Sequence, residues 1–153
     1  MDGFEPLIIA FACNWCSYAA ADVAGTSRFY YPANVRIIRV MCSGMVDSMY
    51  VLKALESGAD GVLVAGCRIG DCHYISGNIK EEKIIGRLRT FLHRIGLEDE
   101  RLRLQWISTG EGRLFAKTIE EMVSQLKKLG PSPLKERIGW NSRTFTVSSG
   151  SSL

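Results

Sequence analysis

Four short runs rich in apolar residues recur along the chain, and a segment with helical periodicity follows each of them. Such runs are typical of strands that are buried on both faces of a parallel sheet. The predicted strands are residues 7–12, 35–41, 61–66 and 102–108. The pattern therefore predicts an α/β fold, with a single-domain open parallel sheet of about four strands and helices on both faces. This is an architecture of the Rossmann or flavodoxin-like type.

The helical segments carry apolar residues three or four positions apart, and several of them end at glycine. The first predicted helix is the alanine-rich stretch 17–25. The apolar face of the second helix is predicted to comprise Met45, Met49, Leu52 and Leu55. The third helix is predicted to begin at Asn78, with Glu81 completing a capping box, and its apolar stripe is predicted to comprise Ile84, Leu88, Phe91, Leu92 and Ile95.

A second capping box, formed by Ser108 and Glu111, predicts the start of the last long helix. Its predicted apolar stripe comprises Phe115, Ile119, Met122, Leu126 and Leu129. From about Pro131 the periodicity is lost, and the chain runs into a Ser/Gly tract. We therefore predict an α/β domain over residues 1–130 and an irregular C-terminal tail over residues 131–153, which is either a docking segment or disordered.

Composition and charge exclude several classes of protein. The chain has 153 residues, the size of one domain, and 46% of them are hydrophobic. A net charge of +3 is too small to indicate a nucleic-acid partner. The stretch "MDGFEP" is acidic rather than basic, and the run "LIIAFA" is too short to span a membrane. These features predict a cytoplasmic protein with neither a nucleic-acid nor a membrane partner.

The chemistry of the chain is concentrated in its five cysteines, all of which fall in the first half. One cysteine follows each of the first three predicted strands, another begins the first helix, and the last lies in the loop after the third strand. In chain order, the cysteines are Cys13, Cys16, Cys42, Cys67 and Cys72. Carboxyl ends of neighbouring parallel strands lie about 4.8 Å apart at one edge of a sheet. We therefore expect all five sulfurs to converge there.

Four interpretations of this convergence remain open from the residues alone. The thiols can simply be buried, because cysteine packs as a small apolar residue. They can bind zinc and stabilise an interaction module. The pair Cys13 and Cys16 can serve a thiol–disulfide oxidoreductase, whose C-x-x-C motif also opens a helix after a strand. An iron–sulfur cluster accounts best for the set, because it needs four thiolates and tolerates irregular spacing between them.

The ordered motifs "CNWC" (13–16), "VMCSG" (40–44) and "GCRIGDCHY" (66–74) resemble one family. It is the delta subunit of the methyl-viologen-reducing, or F420-non-reducing, hydrogenase. The resemblance runs from about residue 6 to residue 135, through "GADGVLVAGC" (58–67), "SGN" (76–78) and "QWIS" (105–108).

The resemblance implies a [2Fe–2S] cluster held by four of the five cysteines on a small α/β domain. We expect Cys42, Cys67 and Cys72 to bind iron, with at least one of Cys13 and Cys16. It also implies a hetero-oligomeric complex in which the chain links a hydrogenase, or a formate dehydrogenase, to the flavin-containing A subunit of a heterodisulfide reductase. That assembly bifurcates electrons in methanogenesis. The chain would then relay electrons rather than catalyse a reaction, with Trp15 and Tyr74 as candidate docking residues.

Overall fold

The computed structural model describes residues 3–137. The strands are β1 (Ile8–Cys13), β2 (Val35–Val40), β3 (Gly61–Gly66) and β4 (Leu102–Trp106). The helices are α1 (Ser17–Thr26), α2 (Ser48–Glu56), α3 (Gly77–Arg94), α4 (Gly112–Leu129) and α5 (Pro133–Arg137). Every strand lies within two residues of its predicted limits, and the predicted α/β fold is confirmed.

All four strands are parallel, in the order β2-β1-β3-β4. The chain therefore moves to one side of β1 after the first strand and to its other side for the last two. The strand order reverses between β1 and β3, and the two crossovers diverge there. Open α/β sheets bind ligands beyond the carboxyl ends of the strands at such a switch point.

Helices cover both faces of the sheet, as predicted. On one face α1 and α4 pack together and bury Phe115, Ile119, Met122 and Leu126 against the sheet. This stripe confirms the apolar face predicted for the last long helix. On the other face α2 and α3 form a second core that includes Val51, Leu55, Ile85, Leu88 and Leu92. The central strands β1 and β3 are apolar because both of their faces are covered, whereas the edge strands β2 and β4 are more exposed and contain polar residues.

The predicted apolar face of the second helix is wrong in its first half. Met45 and Met49 are both more than half exposed, and Val51 lies in the core instead. The cause is a break in the helix: a short 3₁₀ turn covers Ser43–Met45, and α2 begins only at Ser48. The Asp47 carboxylate caps α2 by accepting the Met49 N–H at 2.8 Å.

The predicted start of the third helix is also wrong in detail. Helix α3 begins at Gly77, and the Ser76 side chain makes no capping hydrogen bond. Glu81 is fully buried, and within the described part of the chain both of its carboxylate oxygens lack a hydrogen-bond partner, so no capping box forms. Ile85 replaces Ile84 in the buried stripe, which also excludes Phe91 and Ile95. The hydrophobic side of α3 is therefore rotated by one position from the predicted one.

Half of the second capping box is present at the start of α4. The Glu111 carboxylate accepts the Ser108 N–H at 2.7 Å, as the prediction requires, but the helix has no hydrogen bond from a capping side chain. Glu111 also pairs with Arg68, which extends from the loop after β3. The contact ties the start of α4 to the loop that carries two of the cysteines.

The first residues of the predicted tail pack on the domain. The fully buried Asp60 accepts the Ser132 N–H at 3.0 Å and the Leu7 N–H at 2.8 Å, and it pairs with Lys135 at 2.6 Å. The buried Arg101 guanidinium donates to the Gly130 carbonyl at 3.1 Å. Residues 131–137 therefore extend the folded unit, whereas the rest of the predicted tail, 138–153, lies outside the described residues.

Within residues 3–137, none of the helices combines the length and the apolar character that crossing a bilayer requires.

Candidate metal centre

The structure brings all five cysteines to the carboxyl edge of β1 and β3. Cys13 is the last residue of β1, and Cys67 directly follows β3. Cys16 precedes α1, and its sulfur forms a group with those of Cys13 and Cys67 in which all three lie within 4.8 Å of one another. The sulfurs of Cys42 and Cys72 form a second group, 4.0 Å apart. The predicted convergence is confirmed at the sheet edge.

The two groups are neighbours. The Cys13 sulfur lies 3.8 Å from the carbonyl oxygen of Met41, the residue before Cys42. One sulfur–sulfur distance in each group can be compared with that of two ligands on one metal ion. These distances are 3.8 Å between Cys13 and Cys67, and 4.0 Å between Cys42 and Cys72. Two thiolates that bind one tetrahedral metal ion with bonds of about 2.3 Å stand about 3.8 Å apart. Each pair therefore has the separation of two ligands on one metal ion.

A [2Fe–2S] cluster has two irons, each held by two thiolates, so the donor set fits this group. The pair Cys42 and Cys72 could supply two thiolates to one iron, and the group of Cys13, Cys16 and Cys67 could supply two to the other, with one thiol to spare. Burial of the thiols also fits a bound cluster. The exposed fractions of Cys13, Cys16, Cys42 and Cys67 are 2%, 4%, 5% and 3%, whereas Cys72 is half-buried. No disulfide joins any of them.

Two glycines make room for the second pair of sulfurs. A Cβ atom added to Gly77 would overlap the Cys42 sulfur and would lie 3.3 Å from that of Cys72. A Cβ atom on Gly44 would lie 2.6 Å from the Gly77 carbonyl oxygen. Side chains at either position would force the 3₁₀ turn and the start of α3 apart. The two pieces of chain approach closely enough to place both sulfurs together because neither residue has a side chain.

Two buried polar side chains fix the other cysteines. The Ser17 hydroxyl accepts the Cys13 N–H at 2.8 Å and donates to the Ala65 carbonyl at 2.7 Å, so it joins the end of β1 to the end of β3. The Asn78 amide donates to the carbonyls of Cys67 and Arg68 at 3.0 and 2.8 Å. These bonds satisfy backbone groups where the ladder ends. They also hold the loop at a set distance from α3.

The charge state differs sharply within the "CNWC" motif. A hydrogen bond from the Cys16 thiol lowers the pKa of Cys13 to about 6, and N–H groups of Trp15 and Ser43 act in the same direction. The same hydrogen bond raises the pKa of Cys16, and burial adds to the effect. Near neutral pH the pair therefore holds one proton, which stays on Cys16. Cys13 is the thiolate, and thiolates are the form that binds metals.

Backbone N–H groups also favour the thiolate at the second pair. Burial raises the pKa of Cys72, but N–H groups of Asn78, Tyr74 and Gly77 outweigh it, so the net pKa is lowered. Two of these donors belong to the N-terminal turn of α3, where the helix dipole favours negative charge. Burial raises the pKa of Cys42 to about 11, although the Gly44 N–H opposes it. A bound metal ion would have to displace the proton of Cys42.

Aromatic side chains border the cysteine-lined edge on its solvent side. The Trp15 ring stacks on His73, with ring centroids 3.9 Å apart, and its indole N–H donates to the Tyr74 hydroxyl at 3.4 Å. Trp15 and Tyr74 are nevertheless 45% and 50% exposed, and the neighbouring Ile75 is 85% exposed. We call the three aromatic residues Trp15, His73 and Tyr74, together with Ile75, the aromatic rim. It lies against the site but leaves large apolar surfaces in water.

Sequence reasoning located the thiols but missed the residues that arrange them. From the sequence, Asn78 is predicted only as the start of a helix, and neither Gly77 nor Ser17 is assigned a role at the site. The interpretation of Cys13 and Cys16 as the pair of a thiol–disulfide oxidoreductase is not supported by their burial, because reactive cysteines of that kind are accessible to solvent. The expectation that four cysteines bind iron stays a prediction.

A doubly wound parallel sheet with clustered cysteines at its switch point defines the class: a small α/β protein with a thiol-lined centre at the strand ends. The sequence pattern of the family described as methyl-viologen-reducing hydrogenase, delta subunit, matches residues 8–130. The chain belongs to this family, as its motifs predicted.

Relatives fall into two groups. The vhc iron-sulfur D subunit of an F420-non-reducing hydrogenase from Methanococcus voltae is 45% identical over 90% of this chain and 96% of its own length. The iron-sulfur D subunit of an F420-non-reducing hydrogenase from Archaeoglobus profundus is 48% identical over 84% and 93%. Proteins of the second group are longer: the A subunit of the ferredoxin:CoB-CoM heterodisulfide reductase from Methanosarcina mazei is 52% identical over 82% of this chain, which spans only 16% of that protein.

Proposed function

We propose that the chain is an electron-transfer subunit that holds one [2Fe–2S] cluster and relays single electrons between larger proteins. The observation that carries the proposal is the pairing of thiols at the switch point, with two sulfur–sulfur distances of 3.8 and 4.0 Å. The relatives' names support the same chemistry, because the two hydrogenase relatives are named iron-sulfur subunits. A bound cluster would supply one-electron transfer with no need for a substrate pocket.

We assign Cys13, Cys42, Cys67 and Cys72 as the four ligands. The Cys13 sulfur is favoured over that of Cys16 because its lowered pKa makes it the thiolate of the pair. The remaining thiol, Cys16, then donates a hydrogen bond to the sulfur of Cys13. Such a bond stabilises negative charge on a ligand and so raises the reduction potential. Burial keeps water from the sulfurs of Cys13, Cys42 and Cys67.

The partners follow from the two groups of relatives. Relatives of one group are hydrogenase subunits, and those of the other carry a sequence similar to this chain within the A subunit of a heterodisulfide reductase. We propose that the separate chain binds a flavoprotein of the heterodisulfide reductase A type and accepts electrons from a hydrogenase or a formate dehydrogenase. The aromatic rim would form part of one interface, since buried tryptophan and tyrosine often dominate interface energies. The complex works in the cytoplasm under this proposal.

The cluster is tested first by composition. Protein purified without oxygen should contain about two irons and two acid-labile sulfides per chain, and dithionite should produce an EPR signal. Cys67→Ser and Cys72→Ser should each lose the cluster, because an iron would lose its thiolate. Stoichiometric zinc without acid-labile sulfide would instead establish the zinc-binding interaction module.

Cys13→Ser and Cys16→Ser form a matched pair for the ligand assignment, since the two residues share one motif and are both buried. Cys16→Ser should keep the iron, the sulfide and the EPR signal, whereas Cys13→Ser should lose them. The reverse result would mean that Cys16 is the ligand. Loss in both variants would mean that the cluster needs both thiols.

The relay is tested in extracts prepared without oxygen. The chain should co-purify with a flavoprotein and should be reduced by the dehydrogenase that accompanies it. A chain that stays monomeric under gentle conditions, and that no co-purified protein reduces or oxidises, contradicts the relay.

A further inference from the structure

Glu81 is a buried carboxyl group that the site described above does not use. It lies on the side of α3 that faces the sheet and is 0% exposed, and neither of its oxygens has a hydrogen-bond partner among residues 3–137. Buried polar groups are almost always paired, because an unpaired one destabilises the fold and a buried charge does so more strongly. A leucine would fill a similar space and leave no polar group unpaired, so packing alone does not account for a carboxyl at this position.

Its position links it to the cysteine-lined edge. Residues three and four apart on a helix have Cβ atoms about 5–6 Å apart on one face. Glu81 is three residues after Asn78, whose amide holds the Cys67 carbonyl, and four after Gly77, which faces the sulfurs of Cys42 and Cys72. Glu81 makes no hydrogen bond to a thiol. It is thus close to the site without being part of the ligand set.

Two charged groups within the described residues influence the ionisation of Glu81. Asp47, from the loop before α2, opposes it, and Lys80, on α3 itself, favours it. The thiols of Cys42 and Cys72 lie beside Gly77, one helical turn before Glu81 on α3. Burial is the largest influence and raises the pKa of Glu81 to about 8. The side chain therefore holds its proton at neutral pH and sits near the point at which a small change in local charge decides whether it ionises.

We propose that Glu81 is a proton-binding site whose occupancy is coupled to the electron held at the cysteine-lined edge. The inference rests on the proposed function, since it needs a redox centre there. Reduction adds one negative charge to the centre, which disfavours a second negative charge on a buried group one helical turn away. An ionised Glu81 then takes one proton from water as the centre takes one electron from its donor, so the net charge of the site is unchanged.

The direction of the coupling follows from the protonation state. Below about pH 8 Glu81 is protonated in both redox states, so the reduction potential does not depend on its titration. Above that pH the oxidised protein has an ionised Glu81, and reduction requires a proton. Each further pH unit then makes reduction tenfold less favourable, which for a one-electron couple is about 59 mV.

The test is a redox titration of the anaerobically purified protein, followed by EPR at several values between about pH 6 and pH 10. The wild-type reduction potential should be constant up to about pH 8. Above that pH the equilibrium constant for reduction should fall by up to tenfold per pH unit. Glu81→Gln should remove the fall and should match the wild type at low pH, because its amide resembles the neutral acid. Glu82→Gln is the matched control, as Glu82 is exposed on the same helix.

An infrared difference spectrum of the wild type supplies a readout that needs no variant. At about pH 9 reduction should produce the C=O band of a protonated carboxyl, and the band should shift in heavy water. Parallel pH profiles of wild type and Glu81→Gln, or no carboxyl band on reduction, would overturn the coupling while leaving the cluster in place. A protein that binds no cluster would overturn both this inference and the proposed function, and the iron assay distinguishes the two failures.

Discussion

The burial of Glu81 also predicts an effect on folding stability that does not depend on the redox state. The pKa of Glu81 is about 8 in the folded protein, above the ordinary value of 4.5 that we expect in the unfolded chain. A carboxyl whose pKa is higher in the folded chain than in the unfolded chain destabilises the fold as pH rises. The loss of stability begins near the unfolded-state pKa and is complete above the folded-state pKa. Replacing Glu81 with Gln removes this loss. The difference in stability between variant and wild type should therefore grow with pH.

The magnitude follows from the two pKa values. One pKa unit corresponds to about 1.36 kcal/mol, so the wild type should lose about 2.5 kcal/mol relative to Glu81→Gln between about pH 6 and pH 9. For a domain of this size 1 kcal/mol moves Tm by about 2–4 °C, which gives about 5–10 °C.

The assay is thermal denaturation of both proteins with the same iron content, at each pH unit in this range. The difference in Tm is the quantity of interest, because the cysteines titrate in both proteins and their contribution cancels. Glu82→Gln should track the wild type throughout, since Glu82 is exposed. If the difference between wild type and Glu81→Gln does not change with pH, Glu81 ionises normally and the reasoning about its burial is refuted.

Three further predictions concern packing and the aromatic rim. Gly77→Ala should lose or distort the cluster, as measured by EPR, because its methyl group overlaps a cysteine sulfur, whereas Gly86→Ala on the same helix meets no atom within 4 Å and should leave the signal unchanged. Asp60→Asn should lower the free energy of unfolding by about 3–5 kcal/mol, because it leaves the half-buried Lys135 ammonium without its carboxylate; an effect below about 1 kcal/mol in urea titrations would contradict this. Trp15→Ala should slow electron transfer to the co-purified flavoprotein without altering the EPR signal, and an unchanged rate would remove the rim from the interface.

The fold was predictable because its signals are local. Each buried strand is a continuous apolar run, and the apolar stripe of α4 recurs with helical spacing over eighteen residues. The buried face of a helix was harder to predict where a local sequence rule conflicts with the tertiary packing. Met45 fits a helical stripe by spacing, but the 3₁₀ turn before Asp47 resets the phase, and nothing in the spacing reveals that turn. Glu81 matched a capping pattern three residues after Asn78, although tertiary packing buries it.

The candidate site was predictable to the level of the sheet edge. Strand ends converge in any parallel sheet, so Cys13 and Cys67 could be placed together from the sequence. The separation of the sulfurs into a pair and a group of three could not, because it depends on loop conformations and on the contact between Gly44 and Gly77. Those glycines are distant in sequence, and their role appears only when both loops are in place.

The location of the thiols has a consequence for how such a small chain can work. At the switch point of a doubly wound sheet the loops diverge and leave a crevice, which other folds of this type fill with a ligand. Here sulfurs from three loops line it, and the Trp15 and Tyr74 rings lie beside them at the surface. A centre placed there is held by rigid strand ends yet lies close to the surface, and electron exchange with a partner requires both. The same partner would cover the aromatic rim and exclude water from the sulfurs, so docking would itself influence the reduction potential. Under the proposed function, the fold would thus join the two tasks of a relay, holding the centre and presenting it, at one edge of the sheet.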